Sequence, residues 1–270
     1  MARLHWLGAA ALCALLAAAH TWPLAANPAT HSRNDTADAQ LNEWIVMWVA
    51  HQLPRDPARL FDANIFYPAR DVLAFSEPLI VPGAMAAPIA ALGASPVLTY
   101  NLVLLAGLAL TALAGYRLIL AWTGDHAAAM LAGSMFAFNT HTITRLPHVQ
   151  GLHLYGLPLA LLAADRLIVH ARTRDALWLA LWMAVLVGTS GYTAVFGIFT
   201  IAAAIVARTP EWLGRRAAAV LGRFMLAAAV CGVAVLPVYL PYQRVAAEQG
   251  MVRSLESVHL YSATLSHYLS

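Results

Sequence analysis

The acidic residues of this chain are concentrated. Asp35, Asp38, Glu43, Asp56, Asp62, Asp71 and Glu77 all lie within residues 27–77, seven of the thirteen Asp and Glu in the sequence. The flanking sequence is apolar, so this stretch is expected to be a water-facing loop with a catalytic carboxylate, Asp38 being the first choice. Around Asp38 runs Asn34-Asp35-Thr36-Ala37-Asp38-Ala39-Gln40-Leu41-Asn42-Glu43-Trp44. Leu41, Trp44, Ile45, Trp48 and Val49 then recur at the spacing of one helical face. Trp44 and Trp48 suit a helix lying in a membrane interface with that face toward lipid. Asp38, Asn42 and Glu43 would sit near its start, away from the lipid. Spacing leaves two readings open. Asp35 with Asp38 three residues on resembles a capping box, and carboxylates are favoured at a helix N-terminus. The same acids could instead move a proton.

Two further clusters carry chemistry. Phe66-Tyr67-Pro68 and Ser76-Glu77-Pro78 close the loop; Tyr67 is a candidate substrate contact and Glu77 a candidate acid or base. A carboxylate where the chain re-enters the interface is costly unless paired, solvated or used. The other cluster is His141-Thr-Ile-Thr-Arg145-Leu-Pro-His148-Val-Gln150-Gly-Leu-His153. Arg suits bidentate phosphate recognition, and His suits proton transfer or ligation. Arg145, His148 and Gln150 are therefore candidate substrate-binding residues, with Asn42. Histidines seven and five apart are not a metal motif, and the chain has no phosphate-cradling Gly-rich loop, G-x-S-x-G or H-E-x-x-H.

The elements that must position these groups follow from composition. Of 270 residues, 61% are hydrophobic and 11% charged, against roughly 25% charged in a soluble domain. This predicts an all-α, polytopic transmembrane helix bundle. The sixteen basic residues, all Arg, lie mostly in short loops and form no single face, which argues against a nucleic-acid partner. Cys13 and Cys231 lie in apolar runs and form neither a disulfide framework nor a metal site.

Residues 4–24 are long enough to span a bilayer, although a charged start and small residues also describe a signal peptide. Further apolar runs cover about 79–93, 96–121, 127–142, 151–169, 176–207 and 217–241. The first is short and holds Pro82 and Pro88, so it is expected to be re-entrant. With the N-terminus inside, Arg172, Arg174, Arg208, Arg215 and Arg216 then fall in cytoplasmic loops, as the positive-inside rule requires. The run 176–207 is too long for one span and is expected to break at Gly188-Thr-Ser-Gly191. Tyr100, Asn101 and Tyr192 are expected to bond between helices or join the aromatic belt, and Asp165-Arg166 to form a pair at a helix end. The result is about seven crossings, a membrane domain of residues 1–241 with a first outer loop at 27–95, and an extracytoplasmic tail at 242–270 that is expected to be incomplete.

An apolar first span followed by a long acid-bearing outer loop with DTADAQLNEW, FYP and SEP, then a YN-containing span and the TRLPHVQ turn, resembles the GT-C superfamily of integral membrane glycosyltransferases. It is most similar in layout to a bacterial, protein-mannosyltransferase-like branch, over residues 1 to about 240. The resemblance implies transfer of a sugar from a polyprenyl-phosphate donor to an acceptor at the periplasmic face of the bacterial inner membrane. It maps the family's loop carboxylate onto Asp38, as general base or as ligand to a divalent cation such as Mg or Mn; any metal ligands among the acids would be Asp35 and Asp38. Arg145 and His148 would hold the donor phosphate as leaving group. Members often carry adjacent acids here, whereas Asp35 and Asp38 are three apart, and larger members add a soluble C-terminal domain. Other classes compatible with the sequence are a transporter or flippase for a lipid or polar solute, and a non-catalytic membrane subunit or fragment.

Overall fold

The computed structural model describes residues 2–32, 37–250 and 254–268. Asp35, the expected cap and alternative metal ligand, lies outside them, as does the capping box built on it. Among the described residues the structure is helical, with no strand. Three helical stretches are long and apolar enough to cross a membrane: Pro96–Thr123, Val149–His170 and Ala217–Gln249. Leu4–His20, Ile80–Ala91 and Gly191–Ala207 are apolar but shorter.

The N-terminal helix α1 (Ala2–His20) packs on α4 (Pro96–Thr123) through the small residues Ala9, Cys13 and Ala17, all buried. The loop helices α2 (Ala37–Gln52) and α3 (Ile80–Ala91) pack against each other and against α4. Here one expectation fails. Ile45 and Val49 are buried, Trp44 and Trp48 pack against the core, and the Trp48 indole N–H donates to the Leu60 carbonyl at 2.8 Å. The apolar face of α2 is thus turned to protein, because α3 arrives to cover it. A Cβ on Gly83 would stand 2.4 Å from Val49, so the helices meet at backbone distance.

After α4, Gly124 turns in the left-handed region and Asp125 caps α5 (His126–Ala137), accepting from the amides of Ala127 and Ala128. The expected span 127–142 is not one helix. Asn139 accepts from Thr142 N–H and starts the short helix α6 (Thr140–Thr144), leaving α5 with 12 residues, ~18 Å at 1.5 Å per residue. Next come α7 (Gly156–His170), α8 (Thr173–Thr189) and α9 (Gly191–Ala207). The break expected between 188 and 192 falls at Ser190, whose backbone is extended and whose hydroxyl accepts from Tyr192 N–H. The short α10 (Thr209–Trp212) leads to α11 (Ala217–Gln249), 33 residues long and continuous through Pro237 and Pro241. The helix itself therefore continues past residue 241. Tyr242 packs on the core and Val245 is buried in it. A last helix, α12 (Leu255–Tyr261), follows.

Arginines gather at one end of the bundle. Arg208 pairs with Asp165 and Glu211, so the neighbour Arg166 is not the partner of Asp165. Arg216 donates to the carbonyls of Ile168 and Val169, and Arg223 to that of Ala171. Those are the last carbonyls of α7, which lack intrahelical partners and favour cations. The Glu211 hydrogen bonds push the Arg208 guanidinium up, burial opposes, and Asp165 adds to the rise.

Candidate functional site

The site lies at the opposite end, where α2, the end of the acidic loop, the turn at 145–150 and the start of α9 meet. Helix α2 supplies Asp38 and Asn42, four residues apart and so on one face. Asn42 is buried, and its Nδ2 donates to the Pro147 carbonyl at 3.3 Å. The Tyr100 hydroxyl reaches the same oxygen at 3.4 Å. Leu146, Val149 and Leu152 are buried on the core side of the turn. Held from both sides, the turn presents His148 to Asp38, with Nε2 3.7 Å from Oδ2. That distance exceeds a direct hydrogen bond and lies within ion-pair range.

The far wall comes from the loop. The Tyr242 hydroxyl donates to the Ser76 carbonyl at 2.7 Å. Leu79, fully buried, turns the chain through a left-handed conformation. Between them Glu77 accepts from Gly191 N–H at 2.8 Å through Oε2. A carboxylate at the first amide of α9 is electrostatically favourable. Glu77 therefore fixes the start of α9, and with it Tyr192.

Two cavities adjoin here. One of about 470 Å³ is lined by Asp38, Asn42, Glu77, His148, Gln150 and the rings of Tyr192 and Tyr242, among others. The other, about 530 Å³, shares His148, Gln150 and Tyr192, adds His141 and Arg145, and continues between Leu154, Leu157, Leu186 and Phe196. The His148 Nδ1 and Gln150 Oε1 atoms are buried without a hydrogen-bond partner. Buried polar atoms in native proteins normally have partners, so these two suit a ligand or ordered water.

Of the residues expected from sequence, Asp38, Asn42, Glu77, His148 and Gln150 share the first cavity, and Arg145 joins His148 and Gln150 in the second. Two do not come along. Glu43 lines a separate recess with Gln40, Trp44, Met47 and Pro96, because five helical positions from Asp38 turn it to another face. Tyr67 is 97% exposed and lines neither cavity. His153 also departs. It is buried against Gly107, with Nε2 3.1 Å from the Val103 carbonyl, and belongs to the packing of α4. Asn101 donates to the carbonyls of Pro28 and His31, tying the start of the loop to α4.

Tyr192 and Tyr242 were not expected in the site. The position of Tyr192 just after the helix break was the one available signal; nothing local marks Tyr242. For a metal, no group of three or more His, Cys, Asp or Glu converges among the described residues. The Asp38–His148 pair supplies two donors, and Asp35, the other ligand expected from the sequence, lies outside the described residues.

Fold and site together define a helical protein with helices long enough for a membrane and a polar, acid-bearing cavity beside an apolar one. No family model, curated protein or solved structure matches the chain.

Proposed function

We propose that this chain is an integral membrane glycosyltransferase of the GT-C type. It would move a sugar from a polyprenyl-phosphate donor to a hydroxyl acceptor on the periplasmic face of a bacterial inner membrane. In this reading the shorter helices complete a bundle of about seven crossings with a cytoplasmic N-terminus. The gathering of Arg208, Arg216 and Arg223 at one end and of Asp38, Glu77 and His148 at the other supports that orientation.

The observation that carries the reading is the Asp38–His148 pair, 3.7 Å apart, beside a cavity with Arg145 and His141 among its polar lining and Phe196, Leu186 and Leu157 among its apolar lining. An amphipathic donor fits that division. The isoprenoid lies against the apolar wall, and its phosphate meets Arg145 with His148 nearby. The acceptor hydroxyl enters the polar cavity, where Asp38 takes its proton as it attacks the anomeric carbon. The bond from that carbon to the phosphate oxygen breaks, and polyprenyl phosphate leaves with the electron pair. Arg145 stabilises the charge that develops on it. Glu77 acts on position, since one of its oxygens is engaged by Gly191.

The test is Asp38→Asn in proteoliposomes supplied with polyprenyl-phosphate sugars. Loss of a positioned general base is expected to cost about 10²–10⁴-fold in rate, with insertion and melting temperature retained. Unimpaired transfer by the Asn variant would remove Asp38 from the mechanism.

A further inference from the structure

At the arginine-rich end, a further cavity of about 240 Å³ opens between α4, α7 and α8, lined by Arg117, Arg166, Asp175, Trp178, Trp182 and the leucines of α7. It plays no part in the proposed transfer, and its charges are unusual for this end of the molecule. Arg208, Arg216 and Arg223 are all engaged, by carboxylates or by terminal carbonyls. Among the described residues, no hydrogen bond or ion pair engages Arg117 or Arg166; Arg117 lies over the Trp6 ring, 5.7 Å from its centroid. Facing them, Asp175 is 1% exposed, and its Oδ2 is buried without a hydrogen-bond partner. Its place in the first turn of α8 eases the charge electrostatically but leaves that oxygen unsatisfied, which is costly at full burial. Trp178 and Trp182 stack at 6.0 Å on the same face, and Trp178 is 46% exposed. Paired indoles of this kind suit the headgroup layer of a bilayer.

We propose that this cavity binds the headgroup of a zwitterionic, primary-amine phospholipid, a phosphoethanolamine. Two unpaired guanidiniums lining one small cavity match one phosphodiester, whose oxygens accept from both. A buried carboxylate oxygen within the same small cavity matches a primary ammonium, which can donate to it directly. Two positive charges and one negative receive one negative and one positive. A purely anionic headgroup would bring no positive charge to Asp175 and would add repulsion. A quaternary ammonium has no N–H to give it.

The experiment is native mass spectrometry of the full chain released from nanodiscs of equal phosphatidylethanolamine, phosphatidylglycerol and phosphatidylcholine, with the variants Arg166→Gln, Arg117→Gln and Asp175→Asn. The wild type should retain phosphatidylethanolamine preferentially. Either Arg variant should lose about tenfold of that retention, since one charge-assisted hydrogen bond is worth roughly a factor of ten. Asp175→Asn should keep lipid but lose the preference over phosphatidylglycerol, a change of ratio that misfolding does not produce. Added glycerophosphoethanolamine separates the sources: competition means the headgroup alone is recognised, no competition that the acyl chains are needed too. Equal retention of the three lipids by the wild type, a preference for phosphatidylglycerol, or a preference that survives all three substitutions would overturn the assignment.

Discussion

Asp38 and His148 approach to 3.7 Å with the Asp38 side chain 73% exposed. A pair so solvated contributes at most ~1 kcal/mol to stability, so a large functional effect of Asp38→Asn with an unchanged melting temperature is the combination to look for. Glu77 should behave the other way. Glu77→Gln keeps an oxygen for Gly191 N–H and is expected to fold like the wild type. Glu77→Ala leaves the Gly191 N–H without its acceptor, although Ser190 still caps α9, and should cost about 1 kcal/mol, read as a lower unfolding temperature in detergent. If Ala and Gln melt alike, Glu77 does not hold α9. At this scale the residue types were legible and their roles were not. Asp38 and Glu77 are both acids of one loop, yet one is solvated beside an imidazole and the other is bound by a backbone amide contributed from more than a hundred positions away.

The helices are held at close range where glycine permits it. A Cβ on Gly133 of α5 would lie 2.4 Å from the Ala112 carbonyl oxygen and 2.7 Å from the Tyr116 nitrogen of α4. Backbone atoms cannot move aside as a side chain can, so Gly133→Ala should separate the pair and cost about 1–3 kcal/mol or more. A thermal shift assay on the purified protein measures it, and an unchanged midpoint would refute the close approach. At the other end, the junction of α9, α10 and α7 is electrostatic. The Arg208 hydrogen bonds hold the Glu211 carboxyl below its ordinary value. A carboxyl depressed in the folded state stabilises fully above its unfolded pKa and loses that contribution as the pH falls through the folded one. Glu211→Gln should therefore be less stable than the wild type at neutral pH and equal to it once acid has protonated Glu211. A gap that persists or widens in acid contradicts the assignment. Helix positions were largely legible from apolar periodicity, and the break at Ser190 from its glycines. The length of α5 was not, because the Asn139 cap ends it inside an apolar run.

Across the whole molecule, the acidic loop is clasped at its end by the last long helix. Tyr242 bonds the Ser76 carbonyl, and Arg244 forms a two-pronged pair with Asp71. Tyr242→Phe leaves that carbonyl without its donor and should cost about 1 kcal/mol, with faster proteolysis of residues 53–78. Unchanged cleavage would mean that α11 does not secure the loop. The sequence by itself determined the helical class, the apolar stretches, the polar loop, and Asp38, Glu77, Arg145 and His148 as candidates, because hydropathy and residue chemistry are local properties. Only the tertiary structure decided which of these share a cavity. It brought His148 to Asp38 and Glu77 to the start of α9, buried His153 in the helix packing, and brought Tyr192 and Tyr242 in. It also covered the apolar face of α2 with α3 instead of lipid. Each outcome depends on which distant helix fills the space opposite a side chain, and no window of sequence contains that information.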